Sequence, residues 1–134
     1  MGESDNVGVV QAAYAAFGRG DIGAVVDLTA DDVEWEAVKS PLTERLPFGG
    51  QHRGKDGVKR FFAALGENVE FQSFRPKEFI AQGDRVVALG EYEARARKTG
   101  RAYRAEWAMV FTLRNGKVTR FQEYTDTAAV LAAF

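Results

Sequence analysis

Apolar residues recur along this chain first at the spacing of a helix and later at the spacing of a strand. Within Val7 to Phe17, the residues Val10, Ala13, Tyr14 and Phe17 fall on one helical face, and Gly18 and Gly20 end the run, which predicts a first helix. Asp21 is suited to N-cap a second helix whose stripe is Ile22, Val25, Val26 and Leu28, ending near Ala30 to Asp32. Val33 to Val38 alternates with period two, so Val33, Trp35 and Ala37 share one side of a first strand and Glu34 and Glu36 the other. Lys39 to Arg53 contains Pro41, Pro47, Gly49 and Gly50 and reads as a long loop able to overhang a pocket. Gly54 to Gly66 places Val58, Phe61, Phe62 and Leu65 at i, i+3, i+4 and i+7, a third helix.

From Val69 the period changes. Phe71, Phe74 and Phe79 flank Pro76, which cannot donate to a central ladder and so implies an edge position or a bulge. After a turn at Gln82-Gly83-Asp84, three further strands are expected over Arg85 to Lys98, Arg101 to Arg114 and Lys117 to Thr125. They are joined at Thr99-Gly100 and Asn115-Gly116, the latter a strong hairpin signal. Asp126 to Phe134 reads as a short capped helix anchored by Leu131 and Phe134. The fold class expected is α+β in one domain over residues 1–134. A cone-shaped, strongly curved, mainly antiparallel sheet is covered by three helices from the first half, with a short helix at the C-terminus.

Alternation also sorts the two faces of the sheet. Tyr103, Ala105, Trp107, Met109, Phe111 and Leu113 turn inward from one strand, and Val86, Ala88, Gly90, Tyr92, Ala94 and Ala96 from its neighbour. The small members of the second set leave room for a ligand. In the last strand Phe121 selects Thr119, Glu123 and Thr125 as inner positions, a conclusion that a one-residue bulge would reverse. Glu123 is then a carboxylate facing an apolar hollow, where desolvation raises its pKa toward neutrality. Val87, Leu89, Ala108, Val110, Val118 and Tyr124 are assigned to the outer face, an apolar patch that suggests a two-fold homodimer.

Composition narrows the chemistry further. With no cysteine and one histidine in 134 residues, disulfides, thiol nucleophiles and a metal site are not expected, and no cofactor is implied. Lys and Arg number 18 against 19 Asp and Glu, interspersed, so no field draws nucleic acid or an acidic membrane. No apolar run reaches the ~20 residues of a membrane span, and the polar N-terminus does not look like a secretion signal, so a cytoplasmic location is expected. Gly18-Arg19-Gly20-Asp21-Ile22-Gly23 fits G-x-G-x-x-G literally, but it follows a helix and implies no dinucleotide site.

Gly20-Asp21, Ala30-Asp31-Asp32-Val33-Glu34-Trp35, Gly50-Gln51-His52-Arg53-Gly54, and the ending from Thr99-Gly100-Arg101 through Asn115-Gly116-Lys117-Val118 to Glu123-Tyr124-Thr125-Asp126 form a recognisable set. With them the chain resembles the SnoaL-like, ketosteroid-isomerase-related branch of the nuclear-transport-factor-2-like superfamily. The resemblance implies a cone-shaped fold that hosts isomerases, cyclases, epoxide hydrolases and plain binding proteins. The steroid isomerases' tyrosine, aspartate base and aspartic acid fall on Ala13, Ala37 and Met109, which disfavours their chemistry here. In the limonene-epoxide-hydrolase branch, the final aspartate falls on Glu123, while its other groups fall on Gly90, Tyr92, Trp35 and Ala37.

The candidate catalytic residues are therefore Glu123 as acid or base, with Tyr92 and Tyr14 as hydroxyl donors. The expected pocket comprises Phe17, Trp35, Ala37, His52, Phe62, Gly90, Ala105, Trp107, Met109, Phe121 and Thr125. The expected partner is a small hydrophobic molecule, handled by a cofactor-free isomerase, cyclase or hydrolase or else sequestered by a binding protein; a third reading is a dimeric interaction module whose apolar outer sheet is the functional surface. In the bland alternative Glu123 is a structural carboxylate, hydrogen-bonded to Tyr92 or to a loop amide.

Overall fold

The computed structural model describes residues 2–134. Helix α1 (Glu3–Gly18) ends in a left-handed turn at Gly20 (φ 75°). There the Asp21 amide donates to the Ala16 carbonyl and the Gly20 amide to that of Phe17, which satisfies carbonyls the last turn leaves open. Asp21 then caps α2 (Ile22–Asp27), its carboxylate accepting from the Ala24 amide at 3.1 Å. This helix is shorter than its apolar stripe predicts. Lys55 places its ammonium on the carbonyls of Val26 and Thr29, and the Val118 amide donates to Leu28, so the chain from residue 28 onward is claimed by tertiary partners.

Strand β1 (Thr29–Ala37) follows, then a single 3-10 turn (Thr43–Arg45) and β2 (Gly50–Arg53), which pairs antiparallel with β1. The long loop expected to reach Arg53 thus gives up its last four residues to a strand. Helix α3 (Gly54–Asn68) buries Val58 and Phe61. Strand β3 (Val69–Gln82) lies at the sheet edge with register shifts on both sides of Pro76, as a residue lacking an amide proton requires. Strands β4 (Arg85–Ala96), β5 (Ala102–Arg114) and β6 (Lys117–Thr125) form a meander, closed by α4 (Thr127–Ala133) with Asp126 as its N-cap.

The open sheet runs β2-β1-β6-β5-β4-β3, and only the β1–β6 pair is parallel. Helix α1 packs on β3 and β4, α3 on β1 and β2, and α4 on β5, so the helices lie over one face and a single core fills the space between. Asn115 (φ 53°) and Gly116 (φ 77°) form the two-residue hairpin turn from β5 to β6. Immediately after it, the register slips by one residue between the Leu113 and Thr112 pairings, leaving Thr119 as a bulge whose hydroxyl donates to the Thr112 carbonyl. The slip corrects one assignment. Val118 is buried in the core, not on the outer face. Because the bulge precedes Phe121, the inward sense of Phe121 and Glu123 is unaffected.

Candidate functional site

A cavity of about 70 Å³ lies between the helices and the sheet, several times the ~10–15 Å³ that one water requires. Helix α1 contributes Tyr14 and Phe17 to its wall, α3 contributes Phe61 and Phe62, and β3 contributes Phe71 and Phe74. The inner face of the sheet adds Trp35, Tyr92, Tyr103, Met109, Phe111 and Phe121, and Val25 of α2, Phe48 of the β1–β2 loop and Val130 of α4 also reach it. Glu123 is the one charged side chain among the described lining residues.

Three elements fix Glu123. Inward parity of β6 directs its carboxyl at the cavity, where 6% of the residue is exposed. Tyr92, across β5 on β4, donates its hydroxyl to Oε2 at 3.0 Å. The third element is the chain leaving β1, where the backbone N–H of Val38 (φ 50°) lies beside the carboxylate and the next amide, of Lys39, donates to the Glu123 carbonyl at 2.7 Å. Burial pushes the Glu123 carboxyl up to about 7, against the opposing pull of the Tyr92 and Val38 hydrogen bonds. Burial and the nearby carboxylate together hold the hydroxyls of Tyr14, Tyr92 and Tyr103 above the usual phenol range. These three are therefore neutral donors at any physiological pH.

Of the residues expected in the pocket, Glu123, Tyr92, Tyr14, Phe17, Trp35, Phe62, Met109 and Phe121 come together around the cavity. Tyr14 donates to the Met109 sulfur at 3.0 Å, a weak acceptor that leaves this hydroxyl ready to turn to a better one. The other six do not line the cavity. Trp107 stacks beneath Tyr14 and Phe74 with ring centres 5.7 and 5.2 Å away, and its indole edge occupies the space that Gly90 leaves open. The small residue at position 90 therefore makes room for tryptophan, not for a ligand. Ala37 and Ala105 are buried in the packed sheet and their methyl groups do not reach the cavity. Thr125 stands behind Tyr92, 3.1 Å from its hydroxyl. His52 faces a separate, smaller pocket beside Glu34, Glu36 and Arg120, with Nε2 3.1 Å from the Phe48 carbonyl.

Tyr103, Phe61, Phe71, Phe74 and Phe111 also line the cavity without having been singled out for the site; periodicity had already turned Tyr103, Phe61 and Phe111 toward the core, while Phe71 and Phe74 share a face only because the register shifts between them. The Val38 amide gave no such signal, because a backbone donor leaves no mark in the side-chain pattern. Among the described residues no group of three or more His, Cys, Asp or Glu is placed to hold a metal ion. No described helix is long and apolar enough to cross a membrane.

Open six-stranded sheet, helical cover and internal cavity define a nuclear-transport-factor-2-like α+β fold. The family model for the SnoaL-like domain matches residues 10–121, and the chain belongs to that family. An NTF2-like protein from Burkholderia xenovorans is 35% identical in sequence and superposes with a TM-score of 0.87 over 99% of this chain and 98% of its own. TerC, crystallised with polyporic acid, is 31% identical with a TM-score of 0.86, covering 96% and 97% of the two chains. An uncharacterised protein of Mycobacterium tuberculosis is 27% identical over 96% of this chain and 95% of its own.

Proposed function

We propose that this protein is a cofactor-free enzyme of the isomerase, cyclase or hydrolase type, acting on a small, largely apolar, oxygenated molecule with Glu123 as acid and base. The observation that carries the proposal is a buried carboxyl with no cationic partner among the described residues, in a cavity walled by aromatic rings, its proton affinity brought close to neutrality. A group of that kind is present in both protonation states near pH 7. Ionised, it accepts a proton from a carbon next to a carbonyl, and the C–H electron pair moves to the carbonyl oxygen to form an enolate. Tyr14, held only by a thioether, is the donor available to that oxygen. Protonated, Glu123 returns the proton at another carbon, and no electrons are gained or lost overall. Facing rings suit a flat, conjugated substrate, and a 31% identical relative crystallised with polyporic acid supports an aromatic oxygenated ligand class.

A second reading has its own observation. Glu123 already accepts from the Tyr92 hydroxyl and the Val38 amide, so it could serve only to hold the polar end of a sequestered hydrophobic metabolite. Replacing the carboxylate separates the two. A panel of terpenoids, steroids and aromatic polyketides, with polyporic acid included, is screened by thermal shift and then for turnover. Glu123→Gln is expected to reduce turnover of any substrate so found by about 10²-fold or more while leaving its affinity within a few-fold. Unchanged turnover rejects the catalytic role, and binding without turnover by the wild type favours the sequestering one.

A further inference from the structure

The Tyr92 hydroxyl has a single proton and two acceptors within reach, Glu123 Oε2 at 3.0 Å and Thr125 Oγ1 at 3.1 Å. Thr125 spends its own proton on the Glu106 carbonyl at 2.9 Å, so it faces Tyr92 with lone pairs alone. The four groups form a chain of carboxyl, phenol, alcohol and backbone oxygen in which only the last link, from Thr125 to Glu106, has a fixed direction. We propose that Thr125 is a positioning residue for the site, giving Tyr92 a second acceptor so that its proton turns to Thr125 when Glu123 is protonated and to Glu123 when it is ionised. The idea rests on the reading of Glu123 as the acid and base for its functional meaning, but it concerns the carboxyl of the free protein.

Each state of the chain is then fully hydrogen-bonded. With Glu123 ionised, the phenol proton points at the carboxylate. With Glu123 protonated, the carboxyl proton goes to the phenol oxygen, the phenol proton to Thr125 and the alcohol proton to Glu106, and no buried donor is stranded. Without the threonine hydroxyl, protonating Glu123 leaves one of two buried O–H groups without an acceptor, since Tyr92 is 5% exposed. Other groups facing the carboxyl are fixed donors or neutral in this range. They are Tyr14 from α1, Tyr103 from β5 and the Val38 amide, and no described Lys, Arg or His lines the cavity.

The arrangement makes opposite predictions for its two hydroxyls. In carboxyl-carbon NMR titrations of the full-length protein, with Glu123→Gln identifying the resonance, Thr125→Val is expected to lower the proton affinity of Glu123 about three- to tenfold. Tyr92→Phe is expected to raise it, because the charged form loses its donor, and Thr125→Ser, which keeps the hydroxyl, should titrate within about twofold of wild type. Thr125→Ala serves if the valine variant does not fold. Titration of Thr125→Val or Thr125→Ala at or above the wild-type midpoint overturns the proposal, as does a serine variant that behaves like valine. A shifted midpoint alongside unchanged turnover in Glu123→Gln leaves the relay standing and removes the catalytic reading. The converse result, turnover lost in Glu123→Gln with no shift in Thr125→Val, does the reverse.

Discussion

Val38 adopts φ 50°, a conformation that costs a β-branched residue on the order of 1–3 kcal/mol, and it does so where its amide meets Glu123. Strain and desolvation are thus concentrated on one carboxyl, and the second has a measurable signature in pH. Burial raises Glu123 from the ordinary carboxylate value of 4.5 to about 7, so between these values the folded protein holds a proton that the unfolded chain has released. Stability is therefore expected to be highest in this respect below about pH 4.5 and to fall as pH rises through 7, by a few kcal/mol on the order of 1.4 per pH unit. Urea midpoints measured from pH 4.5 to 8 should decline for the wild type and stay flatter for Glu123→Gln. Equal slopes would mean that the carboxyl is not desolvated. Glu91 works with the opposite sign and at lower pH, because the hydrogen-bonding Lys77 ammonium, with Arg75 and Arg104 beside it, holds its carboxyl below the usual range. At this scale Glu123 was legible because strand parity is a local property. Of its hydrogen-bond partners, Tyr92 was legible by number and the second only as a loop amide, whose identity required the fold.

Among the elements, the strands were the easier to read, because alternation and the Asn115-Gly116 turn act over a few residues. Strand β2 escaped since Gly50-Gln51-His52-Arg53 has no alternating apolar side of its own and becomes a strand by pairing with β1. Helix α2 was expected to run further because Leu28 continues its stripe, but the parallel pairing of Thr29 with Val118 competes for the same backbone. Gly90 carries the sharpest consequence for element packing. A Cβ there would overlap the Arg75 carbonyl on β3 and the Trp107 ring on β5, so Gly90→Ala is expected to destabilise by about 1–3 kcal/mol as β4 is forced from its neighbours. Chemical denaturation checks this, and an alanine variant as stable as wild type would show that Trp107 can be accommodated elsewhere.

Over the whole molecule, helices cover one face of the sheet and leave the other to solvent or a partner. Val87, Leu89, Ala108 and Val110 are partly exposed there, with Ile80 and Tyr124 more open at 48% and 40%. We propose a second copy of the chain as the cover, since a formal net charge of −1 gives two copies little reason to repel. Sedimentation at micromolar concentration should show a dimer that Val110→Glu dissociates, and a wild-type monomer would refute it. By itself the sequence determined the order and kind of most elements, the inner and outer faces of the meander, and the one carboxylate turned toward the core, because helical and strand periodicities and turn chemistry are written in neighbouring residues. Only the tertiary structure decided that Gly90 houses Trp107, that Val118 is inside, that His52 and Thr125 stand off the cavity, and that the Tyr92 hydroxyl lies between Glu123 and Thr125. Those outcomes depend on volume and on hydrogen-bond partners far apart along the chain, and packing alone brings them into contact.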